Sequence, residues 1–311
     1  MVLFKSNLSF LTFITVLVFG NCVLNVEARE HKVSIRPDAG NEKFVLEKLQ
    51  GYTDPRNISE IIYLMVGKSG KRGRERAVKI QKKRGVIETG LKAEFPRGVQ
   101  CPQIDTETWA IDYSYKRHGA ALHKGVDIVP EEGEGTPVVA IADGSVVGKF
   151  FNRWNRKGIE LMLRHSPKQT GLPYWIYSQY THLKNYPRFD IGTPVKKGEK
   201  IGITSNTGLM GKRERRDALH FAILYSKSPK WTNTGKAVVP ADAFWMDPNA
   251  FYRSSGPYDS KTLRNLTKDE KKIKIPYLFV DGSLNPKETK KIWPYVCKKK
   301  IEKYEEEEQF D

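Results

Sequence analysis

PVVAIADGSVV, residues 137–147, carries two apolar runs of strand length on either side of Asp143-Gly144. β-Branched side chains suit a pleated surface, and Asp-Gly is a hairpin turn signal, so the stretch predicts two strands and a turn. Pieces of the same kind follow it: GIELMLRH (158–165), YWIYSQYTHL (174–183), GTPVKKGEKIGI (192–203) and ALHFAIL (218–224), with Lys197-Gly198 marking a further turn. Short strands recurring between Gly, Pro and turn dipeptides, with no competing helical period, predict a mainly β, antiparallel-sheet domain over residues 101–252.

Outward from this domain the character changes. Residues 29–100 read as a helical, increasingly basic N-terminal segment. Asn57 and Ser59 are cap candidates before the apolar run Ile61 to Val66, which Gly67 ends. The run from Lys68 to Arg84 is dense in Lys and Arg, and reads as a solvated helix face or linker with electrostatic attachment as a secondary role. Residues 253–311 form a charged C-terminal extension that includes IPYLFV (275–280) and closes on the acidic YEEEEQFD (304–311).

The chain has 311 residues, 53 Lys and Arg against 36 Asp and Glu, and 39% hydrophobic residues, enough for a packed core. Residues 29–300 hold 51 basic and 29 acidic side chains, which draws this body toward anionic polymers. After the first 30 residues no apolar run reaches 18, so a multi-span membrane protein is excluded.

At the start, Lys5 precedes the apolar run Leu8 to Gly20, of signal-peptide length, and Val26 and Ala28 supply small residues for cleavage after Ala28. A second route stays open at FGNC (19–22), where a lipoprotein signal would end before Cys22. Either route is export, to a periplasmic, cell-envelope or extracellular place, with membrane attachment only if Cys22 is acylated. With Cys22 removed or acylated, Cys101 and Cys297 are left as one disulfide pair or as two free thiols.

Three of the six histidines stand in telling surroundings. In HKGVD, His123 and Asp127 lie four apart around Gly125, which lets the backbone bend so that an imidazole and a carboxylate can meet. His182 closes a strand in YTHL. In ALHFAI the period of two puts Leu219, Phe221 and Ile223 on a core face and Ala218, His220 and Ala222 on the other. Two imidazoles and a carboxylate suit a catalytic zinc with an open position, and zinc chemistry suits amide hydrolysis. His118 and His31 read as surface residues and His165 as structural. Trp154, Tyr174, Trp175 and Tyr177 read as core or strand residues, with a groove lining as the alternative.

The order HKGVDI, GTPVVAIADGSVV, YTHL, GTPVKKGEKIG, SNTG (205–208) and LHF resembles the lysostaphin/LytM-type zinc endopeptidases, over roughly residues 109–226. The resemblance implies a LytM-like peptidase domain with its metal on a sheet face at the floor of a groove, and peptidoglycan as substrate. It implies zinc ligation by His123, Asp127 and His220, and a catalytic role for His182. Ala218 stands where these enzymes carry a second catalytic histidine, Ala222 where a Glu is usual, and Ser205 where a Gly is usual. A methyl group neither transfers a proton nor donates to an oxyanion, so activity is expected to be weakened while zinc binding persists. Arg215 and Arg216, in the charged loop GKRERRD (211–217), are the expected contacts to an oxyanion or substrate.

Two functions follow as expectations. One is an exported zinc endopeptidase acting on peptidoglycan. The other is a catalytically inactive, zinc-holding module that binds peptidoglycan or activates another cell-wall hydrolase. Nucleic-acid binding fits the charge alone, and export with no groove-reading or stacking motif argues against it. Residues 29–100 are expected to cover the groove, as an autoinhibitory segment would.

Overall fold

The computed structural model describes residues 45–66, 71–105, 122–152, 157–209 and 216–300. The export signals, His31, His118, Trp154, Arg215 and the acidic tail lie outside the described residues. All described residues fall within one compact unit, Arg36–Asp311.

The expected antiparallel sheet is the centre of that unit. Its strands are β1 (Gln103–Ile104), β2 (Val126–Val129), β3 (Gly144–Asn152), β4 (Gly158–His165), β5 (Trp175–Thr181), β6 (Pro194–Val195), β7 (Leu219–Ser226) and β8 (Phe244–Met246). Their order is β1-β2-β7-β5-β4-β3-β6, with β8 also pairing β7, and every pairing is antiparallel. Along 218–224 Leu219, Phe221 and Ile223 are fully buried, as the period of two expects, while on the other face Ala218, Ala222 and Leu224 are buried too and His220 alone is partly open. On the Phe221 side Leu161 and Tyr180 are buried, and the Tyr180 hydroxyl accepts from the Ile141 backbone N–H at 3.2 Å. Burying one large apolar side chain stabilises by about 1.5–3 kcal/mol, so this layer is what holds the long strands in register.

Both turn signals need correction. Pro137–Val139 pairs with Lys200–Ile203 in a separate two-stranded sheet, while β3 and β6 pair with each other in the large one. Asp143-Gly144 and Lys197-Gly198 therefore turn the chain from one sheet to another and make no hairpin. Gly198 has the positive φ of a turn glycine, 82°, but Gly144 does not; a Cβ there would come within 2.6 Å of the His165 ring. A turn dipeptide states that the chain reverses, and it does not state which strand the next one pairs with.

The N-terminal segment is helical where expected. Helix α1 spans Glu60–Val66, directly after Ser59, whose carbonyl accepts from Ile62 and Tyr63. Helix α2 spans Lys71–Lys83; it buries Ala77 and Gln81 and exposes Arg76, Lys79, Lys82 and Lys83, a solvated face as composition suggests. Both helices dock on β8 through one carbonyl: Met65 O accepts from Gln81 Nε2 at 3.2 Å and from Trp245 Nε1 at 3.4 Å. The C-terminal extension is woven into the same body. Lys92–Glu94 pairs in parallel with Lys272–Lys274, and Val99–Gln100 pairs with Val296–Lys299. Beside that second pair Cys101 and Cys297 are joined in a disulfide, with Cα atoms 4.4 Å apart.

Candidate metal centre and its surroundings

Register across the sheet assembles the site. Asp127 on β2 lies opposite His220 on β7, His220 opposite Thr181 on β5, Thr181 opposite Glu160 on β4, and Glu160 opposite Phe150 on β3. Residues directly opposite share a face, so these side chains form one row across the sheet. His123 joins the row from the turn before β2. Gly125 makes this possible by close approach: a Cβ there would stand 2.3 Å from the Phe221 carbonyl oxygen and 2.9 Å from Ala222 Cβ. Ala222 is thus the small neighbour that the turn leans on.

The three expected ligands converge. His220 Nδ1 is 2.8 Å from Asp127 Oδ1 and 3.0 Å from His123 Nε2, and His123 Nε2 is 3.3 Å from Asp127 Oδ1. Among the described residues these form a group of metal-ligating type, with ligand atoms within 4.8 Å of one another. The side chains of His123, Asp127 and His220 are 1%, 7% and 16% exposed, so the cluster opens to solvent on the His220 side. Burial alone would raise the Asp127 carboxyl, but the His123 and His220 imidazoles outweigh it and hold the group well below the usual carboxylate range. An ionised carboxylate with two imidazoles is the donor chemistry of a three-ligand catalytic zinc site, so the residues fit the ion that the motifs imply.

His182 stands one residue beyond Thr181, with its ring centroid 6.1 Å from that of His220. Its φ is +68°, a left-handed conformation that costs a non-glycine residue roughly 1–3 kcal/mol and collects at functional sites. The turn is held by His182 N–H donating to Lys157 O at 3.1 Å and Leu183 N–H donating to Ile159 O at 3.2 Å. The ring is oriented by the SNTG loop, where Nδ1 lies 3.0 Å from the Thr207 carbonyl. A carbonyl only accepts, so Nδ1 carries the proton and Nε2 presents a lone pair. Gly158, at φ +64°, admits that loop; a Cβ there would lie 2.3 Å from Thr207 C.

Ala218 is buried just ahead of β7, and its N–H donates to Ser205 O at 3.2 Å. The Ser205 hydroxyl in turn donates to Glu134 Oε1 at 3.1 Å, a contact that glycine would lack. Arg216 is half-exposed, and its guanidinium donates to the buried Asp105 carboxylate.

His165 is structural, as read. Trp175 pairs with Ser226 at the far end of β5, and Tyr177 is buried with its hydroxyl accepting from Arg164 Nε at 3.2 Å. Six residues of strand, about 20 Å, separate Trp175 from Thr181, so the aromatics of 174–177 line no groove at the metal centre.

Sequence reasoning passed over Glu160, Gln179 and Asp105. Glu160 is buried in the row, accepts from Gln179 Nε2 at 2.5 Å and pairs with Lys157 Nζ at 2.9 Å. The period of two in GIELMLRH puts Glu160 and Met162 on one face, and a lone acid at a strand position was the signal available.

A sheet that carries two imidazoles and a carboxylate in register, with a third histidine beside them, is the frame of a metallopeptidase-type domain. The model of Peptidase family M23 matches residues 121–237, which lie within the β domain, and over that stretch the chain is similar to that family. An "Uncharacterized metalloprotease" of Haemophilus influenzae is 40% identical over 87 residues, 28% of this chain and 16% of the relative, so the match spans a small part of that relative's length. Among solved structures, LytU is 25% identical, with 49% of this chain and 86% of that one covered and a TM-score of 0.34. A mutant catalytic domain of the prophage-encoded M23 protein EnpA from Enterococcus faecalis is 20% identical, with 33% and 68% covered and a TM-score of 0.27.

Proposed function

We propose that the protein is an exported zinc endopeptidase that hydrolyses peptide bonds of bacterial peptidoglycan, slowed by the absence of a histidine at position 218. The convergence of His123, Asp127 and His220 within 3.3 Å of one another carries this reading. A zinc ion held by these three would supply a Lewis acid for a peptide carbonyl and lower the pKa of water. Everything else falls to the chain. Asp127 contributes the negative charge that retains a dication. His182, its tautomer fixed by Thr207, accepts a proton at Nε2 and returns it to the leaving amine. The Ala218 side chain offers neither a proton nor a donor, which costs about a hundredfold or more in rate.

The second reading is a zinc-holding module that grips wall peptide or activates another cell-wall hydrolase. Ala218, whose side chain supplies neither a proton nor a donor, favours it. Export, whether by cleavage after Ala28 or as a lipoprotein at Cys22, belongs to both.

The test is metal content together with wall cleavage. Residues 29–311 and a His123→Ala control are loaded with zinc and incubated with purified peptidoglycan, and released fragments are weighed. Stoichiometric zinc with chelator-sensitive cleavage, absent from the control, is the expected result. Zinc without cleavage selects the second reading, and Ala218→His then restores hydrolysis. No bound zinc overturns both.

A further inference from the structure

We infer that Asp105 and Arg216 form an anion-holding arm of the metal centre, in which buried Asp105 positions the Arg216 guanidinium to hold a negatively charged oxygen beside His123, Asp127 and His220. The inference rests on the metal reading above and deepens it.

The argument starts from register. Gln103 lies opposite Val129 and Ile104 opposite Ile128. One step further sets Asp105 opposite Asp127, and the Asp105 N–H donates to Asp127 O at 2.8 Å. Residues opposed in this way share a face, with Cα atoms about 5.5 Å apart. Asp105 therefore extends the row of Asp127, His220, Thr181 and Glu160 by one strand, on the side of the metal cluster away from Glu160.

Its side chain is 3% exposed, and a carboxylate so buried needs a cation. Among the described residues Arg216 supplies one: its guanidinium donates to Asp105 Oδ1 while its side chain stays 49% exposed. Arg216 comes from four residues before His220 and two before Ala218. To meet Asp105 it has to pass from the head of β7 across β2, the strand that carries Asp127. A guanidinium has five N–H donors in a planar fork and pairs with carboxylate or oxyanion through two parallel bonds, so one group can serve Asp105 and a second anionic oxygen.

The chemistry is limited in a useful way. A guanidinium stays charged at every working pH, so Arg216 takes over anion stabilisation and no proton transfer. Proton steps remain with His182. Asp105 is a positioning residue, acting through Arg216.

The test uses the full chain loaded with cobalt(II), whose visible absorption reports the metal's surroundings, titrated with methylphosphonate as a tetrahedral oxyanion. Arg216→Ala is expected to weaken methylphosphonate binding by about tenfold or more, with cobalt affinity within about threefold of the parent. Asp105→Asn is expected to move anion affinity the same way, and Arg216→Lys to recover part of it. Ala218→His added to Arg216→Ala is expected to bring anion affinity back toward the parent. Unchanged methylphosphonate binding in Arg216→Ala overturns the arm and leaves the metal reading standing. Parallel loss of cobalt and anion in Asp105→Asn also overturns it, because Asp105 then only braces β2. A chain that holds no cobalt removes the metal reading and the arm with it.

Discussion

The two ends of the central sheet each bury histidine, and they treat it in opposite ways. At the β4 end His165 is fully buried, its Nδ1 donates to Asp143 O at 2.7 Å and its Nε2 accepts from the Ser178 hydroxyl at 2.8 Å. Burial lowers its pKa to about 4, so it is neutral and its polar atoms are satisfied by the protein. At the other end, His123 and His220 turn ring nitrogens toward each other and toward one carboxylate oxygen, an arrangement whose donor lone pairs a cation would reconcile. One histidine has its polar atoms completed by the protein, and the other two converge on a carboxylate as the ligands of a metal would. The difference is in the partners, since backbone carbonyl and hydroxyl partners complete an imidazole while convergent acceptors call for a metal.

The comparison breaks most sharply under substitution of the convergent group. His220→Ala or Asp127→Ala is expected to lower zinc affinity by more than about a hundredfold, since loss of a residue that merely orients a ligand costs 10–100-fold. His165→Gln is expected to leave metal stoichiometry unchanged and to lower stability. Metal content after dialysis, beside a denaturant midpoint, separates the two ends.

The metal end is also braced from outside by the disulfide, two residues before β1. Cys101→Ser, or reduction, is expected to cost about 2–5 kcal/mol of unfolding free energy, given a bridge spanning 196 residues. Denaturant curves with and without reductant measure it.

Gly158 serves His182, and Gly171 caps the short helix Pro167–Thr170. Both have positive φ, but a Cβ at Gly158 meets Thr207 backbone at 2.3 Å while one at Gly171 meets only Lys290 Cδ at 3.6 Å. Gly158→Ala is expected to cost about 2–4 kcal/mol and Gly171→Ala about 1 kcal/mol, by thermal or denaturant unfolding.

The smallest effect is a dependence on pH that two buried groups hide from each other. With the His165 pKa near 4 against 6.5 when unfolded, the unfolded chain binds more protons between those values. Stability from His165 is complete above pH 6.5 and is lost as pH falls through 4. Burial raises the Asp247 carboxyl, which accepts from Thr89 and from Asn249 N–H, to about 6 from 3.8. The folded protein then binds more protons, and stability from Asp247 is present below 3.8 and lost as pH rises through 6. The windows overlap with opposite slopes, so the two groups together give a shallow profile. Asp247→Asn should expose a fall in stability from pH 6.5 to 4, and His165→Gln the opposite slope, each by up to about 1.4 kcal/mol per pH unit. Denaturant midpoints across that range decide the signs.

Much of the site was legible because its parts are local. The bend at HKGVD, the alternation in ALHFAI and the strand end at YTHL each show in a few consecutive residues, and their order carried the resemblance. What escaped was set by register. Asp105 has no neighbour in sequence that marks it, and only the β1–β2 ladder brings it beside Asp127. Gly125 was read as a hinge, yet its place is fixed by the Phe221 carbonyl from a strand nearly a hundred residues on. The left-handed backbone at His182 follows from the bonds that His182 and Leu183 make to Lys157, just before β4, and to Ile159 on β4. The turn dipeptides at 143–144 and 197–198 were legible as turns and misled as hairpins, because pairing depends on which sheet the following strand can bury its apolar face in.

By itself, then, the sequence determined a mainly β domain, a basic helical segment ahead of it, and which histidines and aspartate could serve a metal. These are local properties, fixed by side-chain periodicity and by residue chemistry. Tertiary structure alone decided that Cys101 meets Cys297, that the C-terminal extension pairs with the N-terminal segment, and that Arg216 meets Asp105. Such contacts depend on strand register and chain crossing, where a shift of a single residue would turn every side chain to the other face.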